Sequence, residues 1–517
     1  MRRRMDPLIK MKLYLLAIGI LILALLLVRV KKEEKGPVQE EKEMGQEEEI
    51  QKPENPPEEV KEEEPEIKAP VYNGRIRVLL KTEGFASEYH HEVKILSDCE
   101  LVVKGREDKE VYGSGQELIF TRGEEGLLLN GETLEDTPDC LILEPENSEE
   151  EGRFTLESLQ RNYGTPVYEG TLEVWNSEEG FVLVNDLPLE DYLKYVVPSE
   201  MPSGYEIEAL KAQAICARTY AYKHMQSYGY PEYEAHVDDS GRYQVYNNSG
   251  WADSTTQAVA DTQDKILTYE GVPITAYYFS TSCGYTGNEE IWQQGSVEQT
   301  PYLTGKTVNE SGEILEMTEE EVFADFISQT DESCYDGDVS WYRWETKVDI
   351  ETLSDNLNEA LEARCKANPE AILTKRGRNY YSRQLKTIGT IRELEILERN
   401  EGGAIQKVRI KGSKRTIQVE TEYNVRALLN VKGSTITRKD ESTVIGGTLL
   451  PSAYMTITPV FNEEGELTDY IFQGGGYGHG VGMSQNGANG MAKQGKTSEE
   501  ILSFFYTDVD LTDIGSL

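Results

Sequence analysis

Between Tyr72 and about Asp139 apolar and polar residues alternate with a period of two in the runs IRVLLK, HHEVKIL, CELVVKG, QELIFT and GLLLNGE, separated mostly by Gly, Asp and Ser. That period predicts short strands and a small β region. The pair TLEVW and FVLVND, joined by NSEEG, predicts a hairpin. The period then changes. Ser203 followed by Glu206 fits a capping box, and EIEALKAQAICARTYAYKHMQ predicts a long helix. Ile207, Leu210, Ala214, Ala217, Ala221 and Met225 recur at spacings of three and four, which makes one apolar stripe whose alanines allow close approach of another element. With Ile207 at the origin and about 100° per residue, Lys211 falls near 40° and Arg218 near 20° on that wheel. Two cations in the apolar sector are expected to point into a cleft or onto buried carboxylates, because burial without partners is costly.

From Thr300 to about Val444 the pattern is mixed. EEEVFADFI and ETLSDNLNEALEARCKA predict helices, and IRELEIL, KVRIKG and RTIQVE predict strands, so this stretch reads as an inserted lobe. Thr497 and Glu500 form a second capping box, which opens a helix over SEEILSFFY.

The N-terminus changes the picture. Leu13 to Val28 is an unbroken apolar run with Arg2, Arg3, Arg4, Lys10 and Lys12 before it and Arg29, Lys31 and Lys32 after it. Extended by Met11, Val30 and snorkelling basic side chains, the run approaches the ~20 residues a membrane-spanning helix needs. A cleaved signal peptide is the rival reading, but no small-x-small site follows. The expectation is an uncleaved single-pass anchor in the cell membrane, basic side cytoplasmic, with everything after Lys32 outside. Glu33 to Lys68 contains fifteen Glu, five Lys, five Pro and no aromatic residue, which predicts a disordered acidic stalk. The whole chain of 517 residues carries a formal charge of −41. Nucleic acid is thereby excluded as a natural partner, since phosphate binding needs a basic face. The six cysteines are far apart with no Cys-x-x-Cys; Cys334 with Cys365 or Cys99 with Cys140 are conceivable pairs, and isolated buried thiols are the alternative.

Chemistry concentrates in two places. Gly474 to Ala492, GGGYGHGVGMSQNGANGMA, holds eight glycines and no acid, yet lacks the Lys-Ser/Thr ending of a phosphate loop. Glu200 stands among Pro198, Ser199, Met201 and Pro202, a rigid apolar setting just before the long helix, where desolvation would raise a carboxyl pKa into the range of a general acid.

LEDYLKYVVPSEMP, EALKAQAICARTYA, RYQVY, AYYFSTSCGYT and GGGYGHGVGMSQNGANGMAKQG with ILSFFY resemble, in this order, the motifs of the SpoIID/LytB family. That family comprises stage II sporulation protein D and the amidase enhancers. The resemblance covers roughly Gly170 to Leu511. Taken with the patterns above, the expectation is an α+β protein with a β-rich catalytic core, a long Ala-rich helix, an inserted α/β lobe and a small N-terminal β region behind a transmembrane helix. The expected plan is an anchor over 1–32, a stalk over 33–70, the β region over 71–160, the first part of the core over 161–300, the lobe over 301–444 and the second part of the core over 445–517. The resemblance itself bears on the core. The resemblance implies a lytic transglycosylase that cuts peptidoglycan glycan strands, stripped of stem peptides, after N-acetylmuramic acid. Glu200 carries over as the catalytic acid, and Lys211 and Arg218 as cleft residues.

If Glu200 is the one acid, it protonates the glycosidic oxygen and then serves as base, and attack by the sugar's own 6-hydroxyl leaves a 1,6-anhydro end. Glu190 and Asp191 are the alternatives for a second carboxylate in a hydrolytic outcome. The glycines are expected to let backbone amides approach a sugar, Gly476 among them, with His479, Ser484 and Gln485 as neutral hydrogen-bonding groups. Gln244, Tyr246, Tyr278 and Ser282 are further substrate-binding candidates. Sporulation members carry a Cys/His cluster resembling a zinc site before the Gln-Val-Tyr block; here HVDDSGRYQVY offers only His236 and Asp238, so no metal and no other cofactor is expected. A cell-wall amidase that strips stem peptides is the implied partner. Two other readings stand beside the lyase: a non-catalytic amidase enhancer or glycan-binding module, and a metal-dependent wall hydrolase, against which the five histidines argue.

Overall fold

Hydrophobic burial in this chain is organised around one helix, Ile207–His224, which is flanked by two cores. The computed structural model describes residues 70–517 apart from 106–109, 125, 135–138, 148–151, 162–163, 249 and 294–299. The expected membrane anchor and stalk lie outside the described residues.

Eight α-helices are present among the described residues: α1 (Leu189–Glu200), α2 (Ile207–His224), α3 (Asp253–Asp261), α4 (Glu320–Ser328), α5 (Ile350–Ala367), α6 (Glu422–Leu428), α7 (Gln485–Lys493) and α8 (Ser498–Phe505). Together with the sheets they give an α+β fold.

The period-two runs all form strands. A seven-stranded sheet runs in the order Val237–Asp238, Arg75–Leu80, Phe181–Pro188, Thr171–Asn176, Cys140–Pro145, Leu101–Lys104 and Glu110–Tyr112, and a six-stranded sheet built from residues 93–169 packs beside it. The expected hairpin is the pair Thr171–Asn176 and Phe181–Pro188, antiparallel with Val174 opposite Leu183. Because Arg75–Leu80 pairs along all six residues with Phe181–Pro188, the N-terminal strands and α1 share one core.

α2 departs from a single stripe. Ala214, Ala217 and Ala221 belong to the core of the β region, whereas Ala209, Leu210, Ala212, Ile215 and Cys216 belong to a second core with α7 and α8. The alanines therefore serve close packing on both sides, while Ile207, taken as the head of the stripe, is 38% exposed. The Ser203–Glu206 capping box does not form. Glu206 makes no side-chain cap; its backbone N–H donates to Asn489 Oδ1 of α7 at 3.0 Å, so a tertiary contact replaces the local one. The Thr497–Glu500 box does form, with Thr497 Oγ1 accepting from Glu500 N and Glu500 from Thr497 N.

The lobe has its own core. Trp344, Leu353, Leu357, Leu361, Val408, Ile410, Ile417, Met455, Tyr470 and Phe472 pack together between α5 and two five-stranded sheets. The strands Met455–Phe461 and Leu467–Gly474 belong to that lobe rather than to the region after 444, and residues 303–335 pack with α2 instead of with the lobe. The apolar and polar pattern alone does not say which core an amphipathic segment joins. No disulfide joins the six cysteines, all of which are described and five of which are buried, so neither conceivable pair forms.

Candidate active site

Glu200 is the last residue of α1. Leu189, Tyr192, Leu193, Val196 and Val197 bury the face of this helix against the β core, and Met201 N closes it onto Val197 O. Pro198, which lacks an N–H, sits in the last turn, where Ser199 Oγ bonds Tyr195 O at 2.7 Å. The chain then turns sharply toward α2. The carboxyl group of Glu200 is thus presented at a helix C-terminus, on the wall of a cleft of about 540 Å3.

Desolvation by the surrounding aromatic residues pushes its pKa from 4.5 up to about 7, against the pull of two hydrogen bonds, from Val245 N at 2.5 Å and from the Tyr278 hydroxyl. No cation answers it: Arg242, exposed and lying 5.8 Å from the Tyr243 ring, is the one Lys or Arg among the described residues of the cleft wall. Nor does a second carboxylate line that wall.

Tyr278 is held from three sides. Gln244 Nε2 donates to its hydroxyl at 3.0 Å and also to Ala217 O, so the phenolic proton is left to point at Glu200. Tyr192 donates in turn to Gln244 Oε1. His479 holds the Tyr278 backbone: Val481 N–H donates to Nδ1 at 3.1 Å, which places the imidazole proton on Nε2, and that N–H donates to Tyr278 O at 3.0 Å. Burial lowers the His479 pKa to about 3, so the ring is a neutral brace.

The glycine-rich segment is built for packing on protein. Its strand end, Met483–Ser484, runs parallel to Tyr278–Phe279. Gly482 has φ +77°, and a Cβ there would lie 2.0 Å from Tyr277 O; a Cβ on Gly476 would lie 2.8 Å from Thr281 O. Of the expected sugar-facing glycines, Gly476 is accordingly spent on the chain itself, donating its N–H to Trp341 O, and Gly478 reaches the cleft.

Ser282 and Ser484 are likewise committed. Asp336, fully buried, accepts from Ser282 N at 2.8 Å, Ser282 Oγ at 2.9 Å and Ser484 Oγ at 2.8 Å. Burial raises its pKa. This carboxylate ties two distant motif blocks together, and nothing in the pattern of the sequence singled it out. Tyr246 is wholly buried among Tyr168, Tyr192 and Tyr195 and donates to Asn185.

Lys211 and Arg218 do not line the cleft. Arg218 is fully buried and grips Glu190 with two bonds of 2.7 Å, while donating to the carbonyls of Val259 and Lys265. Lys211 pairs with Glu208 and Asp261, both at 3.1 Å. Arg218 therefore points onto a carboxylate, as one of the two expectations had it, but that carboxylate is half-buried rather than buried. The structure brings together Glu200, Tyr278, His479 and Gln485 on the cleft wall with Gln244 behind them, and adds Tyr220, Tyr243, Tyr277, Phe279, Trp292 and Tyr477. Most of these aromatic residues lie inside the motif blocks, where an aromatic residue next to a polar one is the legible signal; Trp292 has none. His236 and Asp238 are held by Arg77 N, Ser240 and Tyr230.

A family model described as Stage II sporulation protein matches residues 177–269, which contain Glu200 and α2, and a Domain of unknown function (DUF8618) matches residues 370–482 in the lobe. The chain is 29% identical over 390 residues to the amidase enhancer of Bacillus subtilis (strain 168), covering 74% of this chain and 48% of that protein. It is 28% identical over 347 residues to stage II sporulation protein D of Bacillus amyloliquefaciens, covering 64% of this chain and 76% of that protein. The chain thus spans about half the length of the amidase enhancer it matches. With the motif blocks in order, a Stage II sporulation protein match over the segment that carries Glu200, and relatives named amidase enhancer and stage II sporulation protein D, the chain is similar to the SpoIID/LytB family.

Proposed function

We propose that this chain is a membrane-anchored lytic transglycosylase that cleaves peptidoglycan glycan strands lacking stem peptides, on the outer side of the cell membrane, during sporulation or septal wall remodelling. The observation that carries the reading is Glu200: a lone carboxyl raised to about 7 by desolvation, in an aromatic cleft with no second acid among its described lining residues.

Protonated Glu200 donates its proton to the glycosidic oxygen as the bond to the anomeric carbon breaks, with the bond's electron pair leaving on that oxygen. The departing ring passes through an oxocarbenium-like state. The 6-hydroxyl oxygen of the same ring then bonds to the anomeric carbon, and its proton returns to the Glu200 carboxylate. No water is consumed and the acid is regenerated. Tyr278 and Val245 N–H stabilise the carboxylate formed in mid-reaction, the role preorganised donors play where charge develops. Aromatic residues of the cleft present flat apolar surface to sugar rings, and Arg242 is placed for the lactyl carboxylate of N-acetylmuramic acid.

Digestion of purified denuded strands with the full-length chain tests the proposal. Anhydro-ended products, abolished by Glu200→Gln, support it. Unchanged strands bound by both proteins would instead support the second reading, a non-catalytic glycan-binding amidase enhancer, which the likeness to the Bacillus subtilis amidase enhancer favours. A cell-wall amidase is the partner implied by either reading.

A further inference from the structure

A second groove, of about 730 Å3, lies between α4 and the exposed face of the lobe sheet that carries Trp344–Asp349. It gathers Arg343, Arg438 and Lys439 in a chain whose net charge is −41. Its acids are engaged: Glu320 pairs with Arg399 at 2.7 Å, and Glu345 accepts from Gln473. Arg343 is spent on the carbonyls of Cys283, Tyr342 and Gln329. Lys439 bonds Gly337 O.

Arg438 differs. Its single side-chain bond is a long one, 3.5 Å from Nη1 to Ser340 Oγ, and its buried Nε–H has no acceptor among the described residues. The guanidinium is held by stacking, 5.2 Å over the Trp341 ring. Asp440, whose pKa it helps to lower, already accepts from Ser442 N and Oγ. Trp341 packs at 4.8 Å on Tyr477, which is 44% exposed and forms part of the catalytic cleft wall. An aromatic path therefore leads from the cleft to an under-used cation in a groove bordered by the hydroxyls of Thr437, Thr456 and Thr458.

We infer that this groove is an outer saccharide subsite: a strand leaving the cleft stacks on Tyr477 and Trp341 and presents an acidic sugar carboxylate to Arg438. The inference rests on the glycan reading of the cleft and extends it to a preference for long, carboxylate-bearing strands. A bidentate guanidinium to carboxylate contact is the geometry Arg438 can supply and a neutral sugar cannot satisfy.

Binding separates this inference from catalysis. Fluorescently labelled denuded strands and a short tetrasaccharide are titrated into the full-length chain carrying Glu200→Gln, followed by anisotropy. Adding Arg438→Met is expected to weaken long-strand binding about five- to tenfold, with no change for the tetrasaccharide and less than twofold change for long strands whose lactyl carboxylates are amidated. Arg438→Lys, which keeps the charge and guards against misfolding, is expected to recover part of the loss. Equal affinity of both proteins for long strands, or the same loss on long and short ones, overturns the subsite while leaving the cleft reading intact. If the parent protein binds neither saccharide, the glycan reading and the subsite fall together.

Discussion

α1 carries a glutamate at each end, and the two have opposite fates. Glu190, in its first turn, is clamped by the buried guanidinium of Arg218 and meets a helix N-terminus, which favours negative charge. Glu200, in its last turn, meets a helix C-terminus, aromatic walls and no cation. The first is a strut that locks α1 to α2. The second is kept protonated up to about pH 7 by desolvation, with no cation to offset that burial. Of two carboxyl groups on one helix, burial sets the protonation of one and a buried guanidinium fixes the position of the other.

The sharpest way to break this comparison is Glu200→Gln. Under the proposed mechanism this variant is expected to reduce strand cleavage by about a thousandfold, measured by release of anhydro ends, with the protein still folded. Next in size is Arg218→Met, which leaves the half-buried Glu190 without its guanidinium and the carbonyls of Val259 and Lys265 without a donor. It should destabilise the fold by about 2–3 kcal/mol in denaturant titrations, while cleavage per folded molecule at low temperature changes little.

Tyr278→Phe probes the donor that favours ionised Glu200. Turnover is expected to fall by about ten- to a hundredfold. Removing that bond also raises the Glu200 pKa, so the alkaline limb of the rate profile, near pH 7 in the parent, should move to higher pH. A pH profile that does not move would detach Tyr278 from the acid.

The smallest effect is on stability. Glu200 is raised in the folded state, so the unfolded chain ionises first as pH rises, and stability is lost between the ordinary carboxyl value of 4.5 and about 7. Glu200→Gln removes that penalty. The full shift bounds the gain near pH 8 at about 3 kcal/mol, and because Glu200 is only part-buried the expected stabilisation is about 1–2 kcal/mol there and almost nothing near pH 4, read as the difference in unfolding midpoints.

The strands of the β region, the α2 segment, the Thr497 box and the desolvated setting of Glu200 were legible because each rests on local chemistry: a two-residue period, a run of small helix formers, a reciprocal cap, a carboxyl among prolines. Residue types in the motif blocks were enough for the family. Only tertiary structure decided that Arg218 serves Glu190 and not the cleft, that Asn489 takes over the N-terminus of α2, and that Asp336 consumes Ser282 and Ser484. Those outcomes join residues far apart in the chain, and a helical wheel fixes the direction of a side chain without saying what will be standing there. The same limit explains the glycines: sequence shows that the backbone must come close to something, and the fold shows that the something is Tyr277 and Thr281.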